Sequence, residues 1–358
     1  MGVLNSLIMS SMSKVAAAAG VSISTVARVV NGRPGISRKT VASVRNAMKS
    51  MGYVAPPPAR RRGPKTDAVR GVRTRRVAML LIGMDPLVTQ RLSAPGPVAE
   101  SLAECGLQLV YSLMPDPDVL PPDISPKHLD GVILRGLEPT GAAERALRSL
   151  PCVWMMTRRS KDFWADYVEP DNRLVGRLAF EYLAQKSVPR MAFLNLQPNY
   201  PAFAARGEAF FEACERANME YRNLSGEALD QSDRLHDVHV MAGVEQQIER
   251  LMPMLKKGPV GLFTSGHNYL PSVYRALMSR SVRLGQDVKL VAGDYDAMVR
   301  SALIPMPACV DVQIPVICER VVKQLMWRMA NREAPGPEGV VVPPRLVPPD
   351  LEDAFIGS

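Results

Sequence analysis

Between Lys14 and Asn31 the sequence reads Lys-Val-Ala-Ala-Ala-Ala-Gly20-Val21-Ser22-Ile-Ser-Thr-Val26-Ala-Arg28-Val29-Val30-Asn31. If Ile23–Val30 is helical, Val26, Val29 and Val30 turn inward with Val21, while Ser24, Thr25, Ala27, Arg28 and Asn31 turn outward. Short polar side chains around one arginine suit a helix that enters the DNA major groove, where a guanidinium pairs edge-on with guanine. Elsewhere the chemistry is thinner. His236-x-x-His239 with Asp233 and Asp237 has metal-binding residue types, yet no fourth ligand nearby fixes a site, and a solvated loop is the reading. There is no phosphate-binding glycine loop, no G-x-G-x-x-G after a strand and no G-x-S-x-G. A nucleophile with a positioned base cannot be drawn, so no catalytic residue, metal or cofactor is expected.

The elements that must hold these residues are legible around them. Residues 13–19 suit a short alanine-rich helix that lets a second helix approach closely, and Gly20 ends it. Ser22 reads as the N-cap of a helix from Ile23 to about Val30. Asn31-Gly32 and Arg33-Pro34-Gly35 are turn chemistry. Ser37 caps a third helix, whose Val41, Val44, Met48 and Met51 recur at spacings of three and four and make one apolar face; Arg38, Lys39, Arg45 and Lys49 fall off it. A helix-turn-helix domain is expected over 12–55, after a disordered N-terminus over 1–11. From Pro56-Pro57-Pro58 to Arg76 the composition is that of an extended basic linker. Charge follows the same division. Residues 1–76 hold 15 Lys+Arg against the single acid Asp67, a net of +14; the remainder holds 29 against 34, a net of −5. A basic module on a mildly acidic body points to a polyanion at the N-terminal end, nucleic acid or a membrane surface.

Beyond the linker, apolar runs at Val77–Ile82, Leu107–Leu113, Gly131–Leu134, Cys152–Met156, Met191–Leu196, Val260–Thr264, Val288–Ala292 and Cys309–Val312 read as strands. Helix-length stretches between them include Arg173–Gln185, Ala202–Ala217, Val244–Leu255 and Tyr269–Ser281. Continuous apolar strands separated by helices imply buried parallel sheets, as one large sheet or two smaller α/β lobes. At 47% hydrophobic and 22% charged, the chain is of globular composition, which excludes wholesale disorder. Its five cysteines include no C-x-x-C and read as buried, reduced thiols. No run approaches the ~18 apolar residues of a membrane helix. The first residues lack the basic start of a signal peptide. A cytoplasmic protein with no membrane partner is expected.

Val15-Ala-x-x-Ala19-Gly20-Val21-Ser22-x-x-Thr25-Val26-x-Arg28-Val29-x-Asn31, followed by Val41–Tyr53, resembles the headpiece of lactose/galactose-repressor (LacI/GalR) family transcriptional regulators. The resemblance implies that Ile23, Ser24 and Arg28 read base edges. It implies that Ser22, Thr25 and Asn31 bond phosphates, which position a protein without specifying sequence. Ile23 owes its role to the resemblance alone, since periodicity would place it in the core. The family's hinge helix, with a leucine that wedges into the minor groove, has no counterpart here. Arg62 stands about where the leucine would be, and three prolines precede it. The expectation is a basic arm of Arg60, Arg61 and Arg62 tracking the DNA backbone or minor groove.

The same family carries a two-lobed, periplasmic-binding-protein-like effector domain, and residues 77–345 resemble it in islands. These are Val168-x-x-Asp171-Asn172-x-x-x-Gly176, Arg206-Gly-Glu-Ala-Phe210, Ala292-Gly293-Asp294 and Val312-Gln313-Ile-Pro315. The implied fold is a helix-turn-helix headpiece followed by two α/β lobes, with crossovers near 186, 313 and 331 and a tail over 346–358. The resemblance places Asp171, Arg206 and Asp294 on ligand hydroxyls in the interlobe cleft, with Gln313 at the second crossover as a further contact or a hinge. Carboxylates and a guanidinium bond in planar pairs, which suits the vicinal hydroxyls of a sugar. Ser265-Gly266-His267-Asn268 departs from the family's Asn-Asp, and His267 is a candidate replacement. Phe163 and Trp164 suit either a sugar face or the core. The reading is a homodimeric, sequence-specific regulator, a repressor, that binds a double-stranded operator and answers to a sugar-like effector. Its rivals are an α/β enzyme tethered to nucleic acid, which lacks a catalytic set, and a solute-binding protein without a DNA role, which has no use for residues 12–54.

Overall fold

The two faces of β1 (Arg76–Ile82) explain how this sequence makes a sheet. Val77, Met79 and Leu81 belong to one core cluster and Ala78, Leu80 and Ile82 to another, all fully buried. A strand covered on both faces has no polar side and therefore reads as an unbroken apolar run. The computed structural model describes residues 14–30, 35–51, 53, 72–83, 95–157, 160, 162–226 and 237–349. They fall into two units, divided between Ala68 and Val69.

In the smaller unit residues 14–19 are helical, followed by helices Ile23–Val30 and Arg38–Ser50. Val15, Ala16, Val26, Val29, Val44 and Ala47 close its core. Gly20 turns the chain at φ +66°, and the Ser37 hydroxyl caps the third helix by accepting from Thr40 N at 3.1 Å. Met51, expected on the apolar face, is instead the C-cap and 44% exposed. The helix has ended there, so Ala47 takes the buried position and Tyr53 packs in from beyond the turn.

In the larger unit β1, β2 (Gln108–Met114), β3 (Gly131–Gly136), β4 (Cys152–Met155), β5 (Asp166–Pro170) and β11 (Gly339–Val342) form a parallel sheet in the order β11-β5-β4-β3-β1-β2. A second sheet contains β6 (Arg190–Asn195), β7 (Glu220–Ser225), β8 (Val260–Thr264), β9 (Val288–Gly293), β10 (Ala308–Asp311) and β12 (Arg345–Val347). Its order is β12-β10-β9-β8-β6-β7, and only β10–β12 is antiparallel. The unit is thus two α/β lobes rather than one large sheet. The helix Asn172–Ala184 follows β5 but packs Val175, Ala179 and Leu183 on the second sheet. The helix Ile314–Ala330 follows β10 but packs Ile317, Val321, Leu325 and Met329 on the first.

The chain therefore changes lobes at residues 170–172, 312–314 and 343–344. The expected crossings near 186 and 331 are displaced. The first crossing precedes its helix, and the last waits until β11 has joined the first lobe. Met156 and Ile314 pack against cores of both lobes. The domain also extends past 77 and 345. Arg73, Thr74 and Arg75 donate backbone N–H groups to the buried Asp130 carboxylate, and Pro348 O accepts from Arg300. Cys152, Cys214, Cys309 and Cys318 are buried as expected, whereas Cys105 is exposed. Among the described residues no helix is long and apolar enough to cross a membrane.

Candidate functional site

The headpiece presents its polar set at the start of helix Ile23–Val30. The Ser22 hydroxyl lies 2.8 Å from Ser24 Oγ and 2.9 Å from Thr25 Oγ1, and accepts from Thr25 N at 3.2 Å. These hydroxyls gather at a helix N-terminus, whose free N–H groups and dipole favour an anion such as a phosphate. Ser22, Ser24 and Arg28 are exposed and Thr25 is half-buried. Ile23 is 49% exposed, because Val21 and Ile36 pack at the core in its stead. Periodicity alone misplaces this residue; the resemblance puts it outward. Asn31, Arg60, Arg61 and Arg62 lie outside the described residues, as do Asp233 and His236. Among the described residues no group of three or more His, Cys, Asp or Glu could hold a metal ion.

In the effector unit, β6, β8 and β9 are neighbours, and their C-terminal ends bring Asn195, Ser265 and Asp294 together. Ligands of open parallel sheets bind at such ends. Arg206 reaches this place from helix Pro201–Arg216 and is 2% exposed. Its Nε donates to Asn172 Oδ1 at 2.9 Å, its Nη1 to Ser265 O at 2.6 Å and its Nη2 to Asp294 Oδ1 at 2.8 Å. A buried guanidinium tolerates desolvation only when its donors are met this way. Two glycines make the approach fit. A Cβ on Gly176 would sit 2.1 Å from Arg206 O, and one on Gly293 would sit 2.5 Å from Ser265 O and 2.7 Å from Arg206 Nη1. Asp294 itself takes the left-handed conformation, φ +66°, which aspartate tolerates better than most residues.

The loop after β8 is fixed from below. Tyr269, fully buried, bonds Ser265 Oγ through its hydroxyl, which also donates to Leu194 O at 3.1 Å and accepts from Gly266 N at 3.2 Å. Burial raises the Tyr269 pKa, so it stays a neutral donor. His267 is buried beside this loop, with Nε2 3.9 Å from Asp296 Oδ2. Its Nδ1 is buried without a partner among the described residues. Such an atom is costly unless a ligand or water meets it.

The structure thus brings Arg206 and Asp294 into direct contact. Asp171 does something more local: it caps helix Asn172–Ala184, accepting from Leu174 N at 2.8 Å. Asn172, the next residue, makes the bond to Arg206 that the sequence reading did not foresee. Gln313 sits at φ +61° on the second crossover, and its Nε2 donates to Pro343 O on the third at 2.6 Å. Its place is that of a hinge tie. Phe163 is core, edge-on to Trp154 at 4.9 Å, and Trp164 lies beneath the Arg148 guanidinium.

The family described as bacterial regulatory proteins, lacI family, matches residues 11–55, and a periplasmic binding protein-like domain matches residues 180–349. The HTH-type transcriptional regulator GntR of Pseudomonas aeruginosa is 28% identical over 330 residues, 90% of each chain. The ribose operon repressor of Escherichia coli is 26% identical, over 83% of this chain and 86% of its own. These relatives are named as regulators rather than enzymes. Among solved structures, the transcriptional regulator CelR–cellobiose complex superposes with a TM-score of 0.60 at 23% identity, over 94% of this chain and 98% of that one. The lac repressor dimer bound to operator and the anti-inducer ONPF gives 0.58 at 16% identity, over 93% and 96%. Likeness at that identity shows the shared fold.

Proposed function

This chain belongs to the LacI family of bacterial regulatory proteins and is a DNA-binding transcriptional regulator; from that premise we propose that it is a homodimeric, cytoplasmic repressor whose hold on a double-stranded operator is set by a polyhydroxylated small molecule bound between its lobes. Ile23, Ser24 and Arg28 read base edges in the major groove. Ser22, Thr25 and Asn31 bond phosphates, and Arg60, Arg61 and Arg62 add contacts to the backbone or minor groove. A dimer presents two headpieces to a pseudo-palindromic site, so their spacing decides affinity.

The observation that carries the effector reading is the buried Arg206 fork, shared between Asn172, Ser265 and Asp294 at the strand ends. Asp294 keeps its second oxygen for a hydroxyl, and the Arg206 fork orients it. The CelR structure holds cellobiose, and the lac repressor structure is a dimer on operator; both agree with the reading. Coupling requires that the effector bind one lobe arrangement better than the other. Asn172 and Gln313, placed at crossovers, are the residues through which closure reaches the rest of the chain.

The test starts from an operator selected out of random duplexes by the full-length protein. Operator affinity is then measured by fluorescence anisotropy against a panel of sugars and polyols. One member is expected to change affinity about tenfold or more, a usual size for allosteric coupling. A panel in which sugars bind the protein yet leave operator affinity unmoved overturns the reading.

A further inference from the structure

Three side-chain atoms are buried without a hydrogen-bond partner among the described residues: Trp164 Nε1, Thr264 Oγ1 and His267 Nδ1. Trp164 packs on a core of the first lobe, and Thr264 is a residue of β8 itself. His267 alone among the three lies in the strand-end loops that hold Arg206. It is 8% exposed and stands between β8 and the helix Leu270–Met278, where its backbone oxygen accepts from Leu270 N at 3.1 Å. This loop lies against the loop after β9. A Cβ on Gly266 would sit 3.5 Å from Asp294 Oδ2 and 3.2 Å from Phe203 Cζ, and His267 Nε2 is 3.9 Å from Asp296 Oδ2. His267 is thus packed where the two loops meet, the same loops whose Ser265 O and Asp294 Oδ1 accept from Arg206.

Asp296 accepts from the backbone N–H groups of Met298 and Val299 through Oδ1, and its Oδ2 is the oxygen beside the imidazole. A carboxylate next to Nε2 favours the tautomer with the proton on that nitrogen, which leaves Nδ1 a bare lone pair. Taken out of water with no donor to meet it, such an atom destabilises the fold that buries it. We propose that His267 is a specificity-determining residue of the effector site, whose Nδ1 takes one hydroxyl of the effector while Arg206 and Asp294 hold another. This rests on the reading of the cleft as a polyol site and narrows what that polyol must carry. A hydroxyl donates to a bare Nδ1 and accepts from a protonated one, so it serves either state of the ring. A hydrogen, a fluorine or an O-methyl ether in its place cannot donate. The ligand-free protein is then less stable than an apolar ring at 267 would make it, and the effector's hydroxyl recovers the loss. A polar site of this kind rejects an analogue lacking the hydroxyl far more strongly than an apolar pocket rejects one lacking a methylene.

The test uses the full-length protein, with ribose, glucose, galactose, gluconate and cellobiose as probes. Binding is read by calorimetry, and the probe bound most tightly is followed through its monodeoxy and deoxyfluoro analogues. Three variants are compared with the wild type. His267→Phe keeps a flat ring without polar atoms, His267→Asn places an amide where Nδ1 lies, and His267→Gln places one toward Nε2 instead. Without ligand, His267→Phe should melt about 2–4 °C higher than the wild type, because the unmet nitrogen is gone. Ligand-free operator affinity, unchanged, checks its folding. The same variant should bind the probe at least about tenfold more weakly, and His267→Asn should keep more of the affinity than His267→Gln. One deoxy analogue, and the fluoro analogue at the same carbon, should bind the wild type at least about tenfold more weakly than the parent, while His267→Phe should not distinguish them from it. Should His267→Phe fail to fold, the order of the Asn and Gln variants and the wild-type analogue series decide the matter. Probe binding that His267→Phe and His267→Gln leave unchanged, with or without a fall in melting temperature, marks a packing residue; it overturns the inference and leaves the polyol reading standing. No binding of any probe to the wild type overturns both.

Discussion

Asn172 and Arg206 join the first crossover to the proposed ligand site. The Asn172 amide oxygen accepts from Arg206 Nε at 2.9 Å, and its amide nitrogen donates to Thr157 Oγ1 at 2.8 Å, on the chain leaving β4. One side chain thus touches the first lobe, the crossover and the second lobe's guanidinium. Any ligand that draws on Arg206 is felt at the point where the chain passes between lobes.

Replacing Asn172 tests this link. Asn172→Ala leaves the Arg206 Nε–H buried without its acceptor and should cost about 1–3 kcal/mol of stability. Effector affinity should fall about tenfold, with ligand-free operator affinity unchanged. Asn172→Asp supplies an acceptor in the same place and should keep the response. Calorimetry and thermal melts check this, and identical effector binding by both variants would count against the link.

Much of the fold was legible because its central strands are buried on both faces, and Val77–Ile82 and Val260–Thr264 show it in their unbroken apolar runs. The strands that escaped are three of the four edges, β7, β11 and β12, and β5 beside β11; the remaining edge, β2, is an apolar run that the sequence shows. β7 reads Glu-Tyr-Arg-Asn-Leu-Ser, paired on one side and mostly exposed; β11 and β12 are short edges, and β5 alternates buried and half-buried residues. Polar side chains on a solvated edge protect it from further pairing and erase the apolar signal. The helix Ile314–Ala330 is not among the helices expected from the sequence, although Ile317, Val321, Leu325 and Met329 recur every four residues. In the cleft, family likeness pointed to Arg206 and Asp294. Asn172 could not be separated from Asp171, because which of two adjacent residues caps a helix and which reaches across a lobe is decided by backbone direction.

Arg28 is the residue expected to carry base specificity. Arg28→Ala should weaken operator binding by ~1–3 kcal/mol and flatten preference at one base pair. Lys39→Ala or Lys49→Ala should lower affinity for all sequences alike, if at all. Equal losses on operator and random DNA from Arg28→Ala, measured by competition binding, would show that it is only a phosphate contact.

The linker carries its own prediction. Changing Arg60, Arg61, Arg62 and Lys65 together to Ala removes up to four phosphate contacts, so the slope of log K against log salt should fall by up to ~0.9 for each one lost. An unchanged slope would mean that the arm does not touch DNA.

Asp130 ties the start of the effector domain to its core. The carboxylate accepts backbone N–H groups from Arg73, Thr74 and Arg75 and the Thr74 hydroxyl. Burial alone would raise its pKa; these hydrogen bonds outweigh burial and hold it below the usual carboxylate value. A folded-state pKa below the unfolded one gives stability that is present above the unfolded value, near 3.9, and is lost as pH falls through the folded one. Asp130→Asn should lower stability by about 3 kcal/mol at neutral pH. It should also flatten the acid limb of stability against pH, as followed by urea unfolding between pH 2 and pH 7.

The central claim is that operator reading and effector sensing are separate sites joined by lobe closure, and Asp294 tests it most directly. Asp294→Asn keeps the shape beside Arg206 but removes the charge that pairs with it and that is proposed to meet the effector's hydroxyls. Operator affinity of the full chain is measured by anisotropy with and without the effector, for the wild type and this variant. The account predicts that both proteins bind operator equally without effector, and that only the wild type shifts, about tenfold, when it is added. A folded Asp294→Asn protein that shifts as the wild type does, or that has lost operator binding itself, would contradict it.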